Sequence, residues 1–152
     1  MFLAEAIKEK VYLNESIEIL RNRILWLSVA TNESDSKLNS ELIDNKLTEL
    51  DKLYKEYQQH SIIIQRAKAA IKIKLNDGEF SIADAENLVG VLKDKLLFLV
   101  SLTGRAEGSS SKDPSNVVCI EMKDIDKQVA FLRQDVKAIE VAIDKAKWSV
   151  EI

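Results

Sequence analysis

Helix breakers are scarce in this sequence. Proline occurs once, at Pro114, and glycine only four times in 152 residues, so long helices meet few internal interruptions. The single cysteine, Cys119, cannot close an intramolecular disulfide, which excludes a disulfide-stapled scaffold and suits a reducing compartment. The single histidine, His60, excludes a bundle-type di-iron centre, because that site draws Glu-x-x-His from two helices. A zinc site built on Cys119 and His60 is two ligands short. Neither sign of charge dominates, and a net charge of −3 supplies no drive towards nucleic acid or anionic lipid. Long apolar runs are missing too: the greasiest region, Leu88 to Leu102, is interrupted by Lys93, Asp94 and Lys95 and is too short to span a bilayer. The opening Met1-Phe2-Leu3-Ala4-Glu5 has no basic segment ahead of an apolar core, so no signal peptide is expected. These absences predict a cytoplasmic protein with neither nucleic acid nor membrane as partner.

What the chain does have is helical rhythm. Ile125, Leu132, Ile139 and Ala146 recur every seven residues, and Val129, Val136, Ile143 and Val150 interleave at steps of three and four. That spacing places one apolar seam along a helix, the pattern by which helices pack side by side. Near the N-terminus Leu3, Ala6, Lys10, Leu13, Ile17, Leu20, Ile24 and Leu27 repeat it, with Lys10 as the one charged interruption. Ile43, Leu47, Leu50, Tyr54, Tyr57 and Ile64 supply a third seam.

The expected fold class is therefore mainly all-α. The architecture is an antiparallel bundle of four long coiled-coil-like helices with a minor β-element, in a single domain over residues 1–152. Helices are predicted at about 2–30, 41–70, 82–105 and 124–147. Residues 31–40, rich in serine, asparagine and acids, read as a surface connection, and about 107–116 as a flexible loop. Between helices two and three the period changes. Ile71, Ile73 and Leu75 alternate with Lys72 and Lys74, Asn76-Asp77-Gly78 brings turn chemistry, and Phe80 and Ile82 alternate again. A short hairpin is one reading, and a helical continuation through Ile71 is the other. Ser81 followed by Asp84 resembles a capping box, which starts helix three near Ile82. Val117-Val118-Cys119-Ile120 is β-branched and reads as a short strand.

Few residues invite chemistry, and each has a plainer role. His60 reads as a polar residue on a helix flank. Cys119 has no base near it in sequence and reads as a small buried hydrophobe. Arg66, Lys68, Lys72 and Lys74 form a basic stretch without a stacking aromatic, as solvated connections do. Arg21 and Arg23 read as interhelical salt-bridge partners, and Trp26 and Trp148 as core anchors or interface residues. No catalytic, cofactor-binding or metal-binding residue is assigned, and no cofactor is expected. Leu96, Leu97, Phe98, Val100 and Leu102 point to every side of helix three, more apolar surface than one chain readily covers, so they are the candidate oligomer interface. The tail residues Trp148, Val150 and Ile152 are too apolar for a free end and are expected to dock.

Four segments together carry a family likeness: Leu3-Ala4-Glu5-Ala6-Ile7, Leu20-Arg21-Asn22-Arg23-Ile24, Gly78-Glu79-Phe80-Ser81-Ile82 and the closing Trp148-Ser149-Val150-Glu151-Ile152. In that order they resemble a septicolysin-like family of small, functionally uncharacterised bacterial helical proteins. The resemblance spans nearly the whole chain and implies an all-helical fold in a bacterial cytoplasm. The chain departs from the family at Gln65-Arg66-Ala67-Lys68, where an asparagine-rich step is usual, and at the Gly108 to Asn116 stretch, which replaces an Arg-Tyr-Ser-Arg-like step.

Function follows from these features as four ranked expectations. The first is a non-enzymatic helical structural or interaction protein that self-associates as a homo-oligomer, its other protein partners unknown. The second is a helical module that holds a small ligand or ion in a polar pocket near the β-element. An enzyme is a distant third, and the membrane-active role that the family label suggests ranks last, because the chain has no long amphipathic insertion segment.

Overall fold

The computed structural model describes residues 1–152, the side chain of Ser110 excepted. Its elements, in order, are α1 (Leu3–Leu27), α2 (Glu33–Ala70), β1 (Lys72–Leu75), β2 (Gly78–Ser81), α3 (Ile82–Lys112) and α4 (Met122–Ser149). Some 80% of the residues are helical. No described helix is long and apolar enough to cross a membrane. Contacts divide the chain into two compact units, Met1–Ala67 with Trp148–Ile152, and Lys68–Lys147.

In the first unit α1 and α2 run antiparallel. His60 on α2 lies 3.7 Å from the Glu9 carboxylate on α1, the Lys10 ammonium sits 5.0 Å from the Tyr57 ring, and Leu20 and Arg23 share a groove with Glu49 and Leu53. All eight expected seam positions of α1 are buried or half-buried. Lys10 belongs there because its stem packs inward and its charge meets an aromatic face. On α2 the inward stripe runs through Ile43, Leu50, Leu53, Tyr57, His60 and Ile64. Leu47 and Tyr54 therefore flank the seam, and His60 lies on it. The helix phase is set by the partner surface, which a count of apolar residues on one helix cannot see.

The second unit holds the hairpin and the antiparallel pair α3 and α4, joined by the Lys93–Glu140 and Lys147–Glu86 ion pairs. Leu99, Val129 and Leu132 form a buried cluster, with Leu92, Leu96 and Ile125 packed against it. Every expected seam residue of α4 from Val129 to Ala146 is buried.

Of the two readings of Ile71 to Ile82, the hairpin is what forms. Lys72 pairs with Ser81, Ile73 with Phe80, Lys74 with Glu79 and Leu75 with Gly78. Ile73 is buried on one face, and Ser81, on the other face, is buried where the hairpin meets α3. The Ile82 N–H donates to the Ile71 carbonyl at 3.0 Å, closing its base. Ser81 caps α3 as expected, its hydroxyl accepting from the Asp84 N–H at 3.0 Å.

Several expected boundaries are corrected. Helix α1 ends at Leu27, where the Ser28 N–H and hydroxyl turn back onto the Leu25 carbonyl. Helix α2 starts at Glu33, eight residues early. Asn32 acts as its cap, its side-chain oxygen accepting from the Asp35 N–H at 2.8 Å, and Glu33 and Asp35 favour the positive end of the helix dipole. The flexible loop expected at 107–116 is largely helix, because α3 continues to Lys112. It stops there for a local reason: Asp113 precedes Pro114, and its φ of −137° and ψ of 107° are the extended values that a following proline imposes. Ser115 donates its N–H and then its hydroxyl to the Asp113 carboxylate, which holds that carboxyl below the ordinary aspartate value. Val117 to Ile120 forms no strand, and α4 begins at Met122.

Gly78 sits at φ +131°, where a side chain is strained, with open space around it. Replacing it by valine should cost about 1–2 kcal/mol through backbone strain alone. Urea denaturation of Gly78→Val beside the wild type measures this, and an unchanged midpoint would show that the turn relaxes freely.

Candidate functional site

The side chains proposed for an interface on α3 separate into two groups. Leu96 is packed against the core and Leu102 is half-buried, so the single chain already uses both. Leu97 is 68% exposed and Phe98 65% exposed, with Val100 also outside and Leu99 buried between them. Another outward residue, Val91 at 67% exposure, stands seven positions before Phe98 and thus on the same face. Sequence reading missed Val91 because it lies upstream of the dense run; its spacing from Phe98 was the available signal.

The tail lies along the N-terminus of the same unit. Phe2 pairs with Glu151 in an antiparallel bridge, and the Ile152 N–H donates to the Met1 carbonyl at 2.9 Å. The Trp148 ring tilts against Phe2 at 6.5 Å between centroids, and the Lys8 ammonium stands 5.1 Å from it. Trp148, Val150 and Ile152 nonetheless remain 36–49% exposed. Backbone pairing and ring contacts hold this end, with burial in second place.

The most connected polar group is Glu86. Lys68 donates to both of its carboxylate oxygens, at 3.0 and 2.8 Å, and Lys147 reaches one at 3.0 Å. Partial burial pushes this carboxyl up. The hydrogen bonds and charges of Lys68 and then Lys147 outweigh that push and hold its pKa below the ordinary glutamate value. Lys68 therefore leaves the basic stretch to close an internal ion triad. Beside it is an open cavity of about 420 Å³, with Glu86, Glu140, Asp144 and Lys147 around Val89 and Ile143. Most of its charges are already spent on each other, Glu140 on Lys93 and Glu86 on two lysines. No three histidine, cysteine, aspartate or glutamate side chains gather as metal ligands among the described residues.

Other singled-out residues stay apart. Cys119 is exposed, contrary to its reading as a buried hydrophobe, because the segment that carries it joins no sheet. Neighbouring Val117 is 83% exposed. Arg21 pairs with Glu18 at 3.1 Å, one turn away on the same helix and not across to another. Trp26 is 85% exposed at the end of α1 beside Leu25 and Val29, so it anchors no core.

Two outcomes are expected from these contacts. Removing Trp148 to Ile152 should lower the melting temperature by about 4–8 °C, for a loss of roughly 2 kcal/mol; an unchanged melting curve would show the tail contacts to be idle. Glu86→Gln should destabilise by about 1–2 kcal/mol at pH 7, a range already discounted for solvent screening of partly exposed charges. Because the folded pKa of Glu86 is lowered, its contribution is complete above the ordinary glutamate value of about 4.3 and fades as pH falls through the lower folded value. The stability gap between wild type and variant should therefore narrow in acid. A gap that stays constant down to pH 2 would rule out charge as its source.

The solved structure of a functionally unknown conserved protein from Corynebacterium diphtheriae is similar to this chain, with 18% identity, a TM-score of 0.83, and coverage of 100% of this chain and 98% of that one. At that identity the likeness establishes a shared fold. No family model and no curated protein matches the chain.

Proposed function

We propose that this is a non-catalytic helical interaction protein that works as a self-associated assembly. The carrying observation is the apolar surface left outside on α3, where Val91, Leu97 and Phe98 are each about two-thirds exposed. Monomers seldom leave contiguous apolar area uncovered, and such area marks a contact surface. A second copy of the chain is the occupant that fits best. The net charge of −3 opposes self-association only weakly, and the charges beside Phe98 are of both signs. Coiled-coil-like packing, expected from the seams, belongs to this reading at the level of the two antiparallel helix pairs. A cytoplasmic home and kinship with septicolysin-like proteins belong to it as well, supported by the single cysteine and the four sequence segments.

A second reading, a small-ligand module, is favoured by the charged cavity at Glu86, which α3 and α4 line. Charged small molecules at millimolar concentration would then raise the melting temperature of the wild type and not of Glu86→Gln.

Size exclusion coupled to light scattering tests the first reading. A mass above the 17.2 kDa of one chain is expected at micromolar concentration, and Phe98→Asp should move it towards the monomer while shifting the melting temperature little. A 17.2 kDa wild-type species across the micromolar range would overturn self-association.

A further inference from the structure

The outward face of α3 is largely self-complementary about its middle. At 100° per residue, Asp84, Val91, Asp94, Lys95, Phe98 and Arg105 fall within one sector of the helix. All six are exposed. The position numbers of three couples, Asp84 with Arg105, Val91 with Phe98, and Asp94 with Lys95, are symmetric about the midpoint between residues 94 and 95. Each couple is complementary: acid with base at the ends, apolar with apolar at the intermediate step, acid with base at the centre. The exposed Asn87 and the half-buried Leu102 also fall in the sector, as a fourth couple that is not complementary, and half-buried Leu88 lies at its edge.

We infer that α3 pairs with α3 of a second copy, antiparallel, about a two-fold axis that passes between residues 94 and 95. Such a contact is isologous, so every pair in it occurs twice. Val91 meets Phe98 of the other copy, Asp94 meets Lys95, and Asp84 meets Arg105. The span from Asp84 to Arg105 is about 30 Å at 1.5 Å per residue, long enough for an apolar centre with a charged rim. None of the four charged side chains has an ion-pair partner within the described chain, so the contact does not first have to break one. A register with the axis at Phe98 would keep an aromatic contact but leave Val91 opposite Arg105, Asp94 opposite Leu102 and Lys95 opposite Ser101, losing the central charge pairs. The neighbouring Lys93 is already committed to Glu140 and lies outside the sector. A lipid surface suits this face poorly, since two acids stand within it.

The inference rests on the self-association proposed above and adds its register. A charge-exchange series on the full chain tests it, with dimer affinity read by sedimentation or light scattering against concentration. Asp94→Lys alone sets lysine against lysine twice in the dimer, and Lys95→Asp alone sets acid against acid twice. Each should weaken the dimer by about tenfold or more at low salt. The double variant Asp94→Lys with Lys95→Asp restores opposite charges and should return the affinity to within about threefold of wild type. Both sites are exposed, so unchanged melting curves and circular dichroism serve as folding controls, and high salt should erase the single-variant losses. Wild-type dimers with single variants of unchanged affinity, or a double variant as weak as the singles, would overturn the register and leave self-association standing. A wild-type monomer at every concentration would overturn both. Vesicle binding abolished by Phe98→Asp, without dimerisation, would assign the face to a membrane instead and overturn the inference.

Discussion

Long helices with narrow apolar seams must find a partner along their whole length, and everything else in this molecule follows from that constraint. A helix of 25 to 38 residues gains little from intrinsic propensity compared with what its buried stripe contributes. Each compact unit solves the problem in the same way, with one antiparallel helix pair. The hairpin is the small exception. It turns the chain between α2 and α3 with two four-residue strands and one glycine in a conformation that other residues resist.

Where a seam is interrupted by charge, the partner surface answers it. Lys10 lies against Tyr57, His60 approaches Glu9, and Lys68 joins Lys147 on Glu86. These contacts are partly exposed, so each is worth less than a buried pair and carries a lower desolvation cost. Their common effect is on register. An apolar seam tolerates a slip by one heptad, whereas a lysine placed over one particular ring or carboxylate does not.

Such seams leave the opposite faces unspent. On α4 that face mixes charged residues with Phe131 and Val141, and on α3 it carries Val91, Leu97 and Phe98. A stable monomer gains nothing from those three. Their exposure, together with the balanced acids and bases between them, is what turns a helical scaffold into a reading about assembly.

Much of this was legible in the amino-acid order. Heptad spacing located the seams of α1 and α4 residue by residue, Asn76-Asp77-Gly78 marked the turn, Ser81 marked the start of α3, and the sparse breakers announced a helical protein. Each of these signals acts within a few residues of its own position, which is why sequence alone determined them. Other features depended on tertiary structure. Polar residues at 33–40 and the glycine-serine stretch after Gly108 favour loops by local composition, yet they are carried into helices by an asparagine cap and by the absence of any stop before Pro114. His60 and Leu53 lie on the α2 seam because α1 sets the phase. Lys68 and Lys147 stand 79 positions apart in the chain, and only the folded α2, α3 and α4 bring both onto one carboxylate. Exposure was the last thing sequence could not supply, since Leu96 and Phe98 look alike on paper. They stand about 200° apart around α3, and the packing of α4 decides which of those two sides is the core.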